Sequence, residues 1–127
     1  MLVVVAPGQG AQSPGLLAPW LEVDGVDARL QWMSAVCDVD LVAHGTTSDA
    51  ETIRDTAVAQ PLLVAAGLVA QESLGVGPAT VSIAAGHSVG EITAAVVAGV
   101  LSAEQALVLV RERGRAMAAA ASITPTG

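Results

Sequence analysis

Apolar residues recur along this chain in two patterns. Leu2-Val3-Val4-Val5-Ala6 and Thr80-Val81-Ser82-Ile83-Ala84-Ala85 are short, nearly unbroken apolar runs. Runs of this length without alternation predict parallel strands covered on both faces. The other apolar positions fall three and four residues apart, the helical period. They predict helices over 27–38, 58–74, 89–100 and 103–121, with shorter ones over 16–22 and 49–54. Residues 39–48 read as a connection. Pro61 is tolerated in the first turn of its helix, where an N–H would lack a partner anyway. Residues 7–15 form a loop rich in glycine and proline, and Gly75-Val76-Gly77-Pro78 is a turn.

Strands alternating with helices imply an α/β domain with a parallel sheet. Two strands do not make an independently stable sheet. Further strands are therefore expected from elsewhere, and residues 1–127 read as the N-terminal part of a larger domain.

On a wheel of about 100° per residue, Ala103, Ala106, Leu107, Val110, Gly114 and Met117 share one face of the last helix. Arg113 falls inside that apolar arc. Arg111, Arg115, Glu104 and Glu112 lie on the other side. A guanidinium cannot stay buried unpaired. Arg113 must meet a carboxylate, either an internal acid or one brought by a substrate.

Composition narrows the classes. Hydrophobic residues make up 53% of the chain, which argues against disorder. The net charge is −7, and all five basic residues are arginines. Nucleic acid and an electrostatic membrane surface are therefore not expected as partners. No apolar run reaches the ~18 residues of a membrane span. Met1 leads into the first strand without a basic region, so no signal sequence is expected and the setting is cytoplasmic. A single cysteine, Cys37, allows no internal disulfide and no zinc cluster. It is expected as a small apolar residue on its helix.

The chemistry concentrates at Gly86-His87-Ser88-Val89-Gly90-Glu91, between the second strand and the next helix. Strand, G-x-S-x-G, helix is the setting of a nucleophile elbow. The turn is sharp, so Gly86 and Gly90 must be small, and the serine hydroxyl is lifted to the end of the sheet. Ser88 and Glu91 also have the spacing of a capping box, a purely structural alternative. Both glycines and the upstream strand favour the nucleophile, with Glu91 structural. An elbow serine needs two N–H donors for its oxyanion: the residue after it and one from another strand's loop. Val89 and Gln9 fit those places. Taken alone, Gly8-Gln9-Gly10 is equally a tight turn.

The base is not evident. His87 adjoins Ser88, and neighbouring side chains diverge at a strand end, so it reads as a packing residue of the elbow. His44 reads as a solvated loop histidine upstream.

The hexapeptide resembles the signature of malonyl-CoA:acyl-carrier-protein transacylases and the related acyltransferase domains of polyketide and fatty acid synthases. Pro7-Gly8-Gln9-Gly10-Ala11-Gln12, Thr56-Ala57-Val58-Ala59-Gln60-Pro61 and Arg113-Gly114 agree at the corresponding places. The resemblance implies an α/β-hydrolase-like parallel sheet with flanking helices, here incomplete. It implies Ser88 as nucleophile, the N–H groups of Gln9 and Val89 as oxyanion hole, and Gln60 lining the acyl pocket. Read alone, the sequence favours Gln60 as a cap or polar residue in the first turn before Pro61. It implies that Arg113 holds the free carboxylate of a malonyl group.

The implied reaction moves malonyl from malonyl-CoA to the phosphopantetheine thiol of acyl carrier protein, as a step of fatty acid biosynthesis. It uses no metal and no redox cofactor, coenzyme A entering only as part of the donor. In the resembled family the catalytic histidine and a ferredoxin-like subdomain lie downstream of the serine. No histidine follows Ser88 here, so this chain is expected to be inactive alone. A serine esterase or hydrolase, and a non-catalytic acyltransferase-like module, remain the alternatives.

Overall fold

The computed structural model describes residues 1–125. The chain runs β1 (Val3–Ala6), a 3-10 turn (Ala18–Glu22), α1 (Val26–Cys37), α2 (Leu41–Thr46) and a 3-10 turn (Thr52–Arg54). It continues through α3 (Thr56–Leu74), β2 (Ile83–Gly86), α4 (Gly90–Val97) and α5 (Ala103–Ile123). The two strands pair in parallel, with Val3 opposite Ile83 and Ala6 opposite Gly86. The fold is therefore mixed α/β with a small parallel sheet.

The helix ends follow local chemistry. The Asp55 carboxylate accepts from the Ala57 N–H at 2.8 Å and starts α3. Gly75, with φ 64°, ends it. Ser102 and Gln105 form a capping box at the start of α5: Ser102 Oγ accepts from the Gln105 N–H at 3.1 Å, and the Ser102 N–H donates to Gln105 Oε1 at 2.9 Å.

The core is made mainly by helices. Leu62, Val64, Ala65, Leu68 and Val69 of α3 pack with Leu30, Met33 and Cys37 of α1 and with Ala106, Leu107 and Val110 of α5. By length and composition α3 could cross a membrane, but half of its apolar stretch is buried inside the protein. Cys37 is buried as expected, and burial pushes its thiol pKa up, which keeps it protonated and unreactive.

Three expectations are corrected. Residues 39–48 are not a plain connection. They contain α2, started by Asp40, whose carboxylate accepts from the Ala43 N–H at 3.0 Å. Leu41 is fully buried, and the Gly45 carbonyl accepts from the Leu17 N–H at 2.9 Å. Tertiary contacts thus select a six-residue helix too short to be seen as a period. His44 consequently sits on that helix, half-buried, with Nδ1 3.0 Å from Ser48 Oγ.

The strands are not covered on both faces. Val3, Val5 and Ile83 are 45%, 72% and 51% exposed. Alternation across the pleat puts Val3 and Val5 with their partners Ile83 and Ala85 on one open face, while Ala6 is buried on the other. A cavity of about 510 Å³ also runs along β1, between it and residues of α3 and α4 including Leu63, Gly67, Gln71 and Thr93. The second strand is shorter than its apolar run, because Thr80 turns back on Gly77 through a 3.0 Å bond from the Gly77 N–H.

Met117 is the third correction. It lies on the expected face of α5 but is 42% exposed.

Candidate active site

β2 ends at Gly86 and α4 begins at Gly90, so the chain reverses direction within three residues. A Cβ on Gly86 would collide with the Gly90 carbonyl carbon and the Glu91 nitrogen, and one on Gly90 would strike the Ala6 carbonyl oxygen. These contacts are with backbone, which cannot step aside. Gly86→Ala should therefore destabilise the fold by about 3 kcal/mol or more, seen as a fall in urea midpoint at unchanged slope. A melting curve equal to that of the unmodified chain would remove the steric account.

Ser88 sits at the apex with φ 54°, left-handed backbone that costs a non-glycine residue roughly 1–2 kcal/mol. The capping box, the structural alternative for Ser88, does not form. The residue before α4 is Val89, no side chain caps the helix, and the Glu91 side chain is exposed. Ser88 Oγ instead accepts from Arg113 Nη2 at 3.3 Å. Neither the Val89 nor the Gln9 backbone N–H finds an acceptor among the described residues. Val89 is fully buried, and its N–H lies at the start of α4, where the helix dipole favours negative charge. The loop holding Gln9 lies against the same turn: a Cβ on Gly8 would come within 3.0 Å of the His87 carbonyl oxygen and 2.5 Å of His87 Nδ1. His87 itself is exposed, with its ring against Gly8.

Five residues, from α3, α5 and the loop after β1, are linked by hydrogen bonds that begin beside Ser88. Arg113 Nη1 donates to Gln60 Oε1 at 2.6 Å. Gln60, only 1% exposed, donates from Nε2 to Met117 Sδ at 3.1 Å and to Gln9 Oε1 at 3.5 Å. Gln9 Nε2 donates to Thr56 Oγ1 at 3.1 Å. Gly114 makes the meeting possible. A Cβ there would lie 3.2 Å from the Thr56 carbonyl oxygen, so α5 crosses the first turn of α3 in near contact, and Arg113 is delivered to Gln60.

The electrostatics single out Arg113. Arg29 pairs with Glu72, Arg111 with Glu112 and Arg115 with Asp38. Arg54 is exposed. Arg113 is half-buried, and among the described residues it has no carboxylate partner; its contacts are the neutral Gln60 and Ser88. Among the described residues no internal acid answers it. What stands beside the serine is a cation with anion-binding capacity to spare.

The site residues expected from the sequence, Gln9, Gln60, Ser88, Val89 and Arg113, are thus brought to one end of the sheet. His44 is not hydrogen-bonded to Ser88; it is engaged by Ser48. Thr56 and Met117 were not singled out as site residues. Each lies four residues from one that was, Thr56 before Gln60 on α3 and Met117 after Arg113 on α5. One helical turn of separation on the same face was the signal available.

The acyl transferase domain family matches residues 3–125. The chain belongs to that family. It is 47% identical over its whole length to the malonyl CoA-acyl carrier protein transacylase of Mycobacterium tuberculosis strain H37Rv, of which it spans 43%. A crystal structure of MCAT from Mycobacterium tuberculosis superimposes with a TM-score of 0.92 at 45% identity, covering all of this chain and 43% of that one. A malonyl-transacylase in complex with a type II PKS acyl-carrier protein has a TM-score of 0.80 at 35% identity, covering 99% of this chain and 40% of the other. This acyltransferase chain thus spans less than half the length of the relatives it matches.

Proposed function

We propose that this acyltransferase chain carries the nucleophile and the acyl-carboxylate grip of an acyl-carrier-protein S-malonyltransferase, with Gly86-to-Gly90 as its nucleophile elbow. The observation that carries the reading is the half-buried Arg113 guanidinium, 3.3 Å from Ser88 Oγ and without a carboxylate partner among the described residues. An esterase pocket has no use for an inward cation. A dicarboxylic half-thioester does, because its free carboxylate can bind the guanidinium in two-pronged fashion.

In this mechanism Ser88 Oγ attacks the thioester carbonyl of malonyl-CoA. The oxyanion is stabilised by the N–H groups of Gln9 and Val89, which are left without acceptors in the free protein. The C–S bond breaks, coenzyme A departs, and a malonyl ester remains on Ser88 with its carboxylate on Arg113. The phosphopantetheine thiol of acyl carrier protein then attacks the ester and carries the malonyl group away. The proton of Ser88 needs a base. Neither His44 nor His87 is hydrogen-bonded to Ser88 among the described residues, and neither is assigned as the base. No metal or redox cofactor enters the scheme, and the setting proposed is the cytoplasm.

The test uses a hybrid protein in which residues 1–125 replace the corresponding part of the Mycobacterium tuberculosis transacylase. Ser88→Ala in the hybrid should lower malonyl transfer by at least about a thousandfold, with an unchanged melting temperature. A Ser88→Ala hybrid retaining a tenth or more of the activity would overturn the assignment.

A further inference from the structure

Gln9 has two parts: its backbone N–H, which has no acceptor among the described residues and follows the Gly8 that abuts His87, and its side chain, which reaches to α3. The side chain belongs to a chain of hydrogen bonds with a fixed sense. A guanidinium can only donate. Arg113 therefore obliges Gln60 to present Oε1, at 2.6 Å, which leaves Gln60 Nε2 as the group facing Gln9. Gln9 must answer with Oε1, at 3.5 Å, so that its own Nε2 is left to donate. The acceptor it finds is Thr56 Oγ1 at 3.1 Å.

The loop after β1 has little else to hold it. Gly10 has φ 112°, and Gln9 itself is exposed. Within the loop, the Ala11 N–H reaches the Gly8 carbonyl at 3.3 Å and the Gly10 N–H reaches Gln12 Oε1 at 2.8 Å. Among the described residues, two side chains tie it to the segment at 53–56: Gln12 Nε2 to the Ile53 carbonyl at 3.2 Å, and Gln9 to Thr56. Cutting the second tie leaves the Gln9 side chain only its 3.5 Å contact with Gln60.

We propose that Thr56 is a positioning residue. Its hydroxyl accepts the last bond of the chain that starts at Arg113, and thereby holds the Gln9 backbone N–H where the oxyanion forms. The inference rests on the reading of Gln9 and Val89 as the oxyanion hole. It predicts a division of labour: Arg113 selects the acyl group, and Thr56 sets the rate for whichever acyl group is bound. Valine has the shape of threonine without the acceptor. Serine keeps the acceptor.

The experiment compares Thr56→Val and Thr56→Ser in the hybrid protein. An interaction realised only in the transition state appears in kcat and leaves KM alone. Removal of one oxyanion donor lowers kcat by about a hundredfold or more; a loosened donor should lose about half of that barrier effect, about tenfold. Thr56→Val should therefore show kcat down about tenfold for malonyl-CoA and acetyl-CoA alike, KM within about twofold, and faster hydrogen exchange in residues 7–12. Thr56→Ser should restore all three. Unchanged exchange in residues 7–12, a changed malonyl-to-acetyl ratio, or equal damage from valine and serine would overturn the proposal. Faster exchange without a fall in kcat would overturn it as well. Failure of the transacylase reading is seen separately, because the unsubstituted hybrid would then not transfer malonyl, while exchange still reports on the Thr56 tie.

Discussion

Arg113→Ala in the hybrid protein is expected to exchange its preference from malonyl-CoA towards acetyl-CoA. The guanidinium is half-buried and bonded to neutral groups only, so an incoming carboxylate meets an uncommitted cation. Losing one partner of a desolvated ion pair costs about 2–5 kcal/mol. Partial exposure of Arg113 argues for the lower end, about 2–3 kcal/mol, or roughly 30- to 150-fold in kcat/KM for malonyl-CoA. Acetyl transfer has no carboxylate to lose and should be kept or improved. Ser88 also loses the donor 3.3 Å from its oxygen, so any general effect on the nucleophile would appear with both donors. The ratio of the two kcat/KM values isolates the carboxylate grip. An unchanged ratio with a lower melting temperature would make Arg113 a structural residue.

The chain alone is expected to turn over at least about a hundredfold more slowly than the hybrid, the least that loss of a general base costs. It is also expected to self-associate. No histidine is bonded to Ser88 among the described residues, Val3, Val5 and Ile83 lie open on one sheet face, and a cavity of about 510 Å³ flanks β1. Exposed apolar strand surface of this kind promotes pairing between chains. Light scattering during gel filtration checks the association, and a radiochemical transfer assay the rate. A monodisperse monomer with a sharp melt and turnover near that of the hybrid would contradict both, and would return His44 or His87 to consideration as base.

Much of the site was legible because its constraints are local. Gly86 is required because backbone of its own turn, at Gly90 and Glu91, leaves no room for a side chain, while Gly90 is required by the Ala6 carbonyl of β1. Arg113 stood out because one helix period suffices to place it among apolar residues. Gln9 and Gln60 needed the family resemblance, since the bonds that join them span 51 residues and leave no periodic trace. Thr56 needed the structure, because its tie to Gln9 spans 47 residues. The failures have the same origin. α2 depends on Leu17, far along the chain from Gly45. The open face of the sheet depends on what else covers it, and an unbroken apolar run cannot say which side is bare.

The central claim is that Ser88 becomes a malonyl ester gripped by Arg113. The most direct measurement is intact-protein mass spectrometry of the hybrid after brief exposure to malonyl-CoA without carrier protein, followed by peptide mapping. The account predicts one added malonyl group, on the peptide containing Ser88. It predicts removal of that group by carrier-protein thiol, and no adduct in Ser88→Ala. An adduct on another residue, or equal labelling by malonyl-CoA and acetyl-CoA, would contradict it.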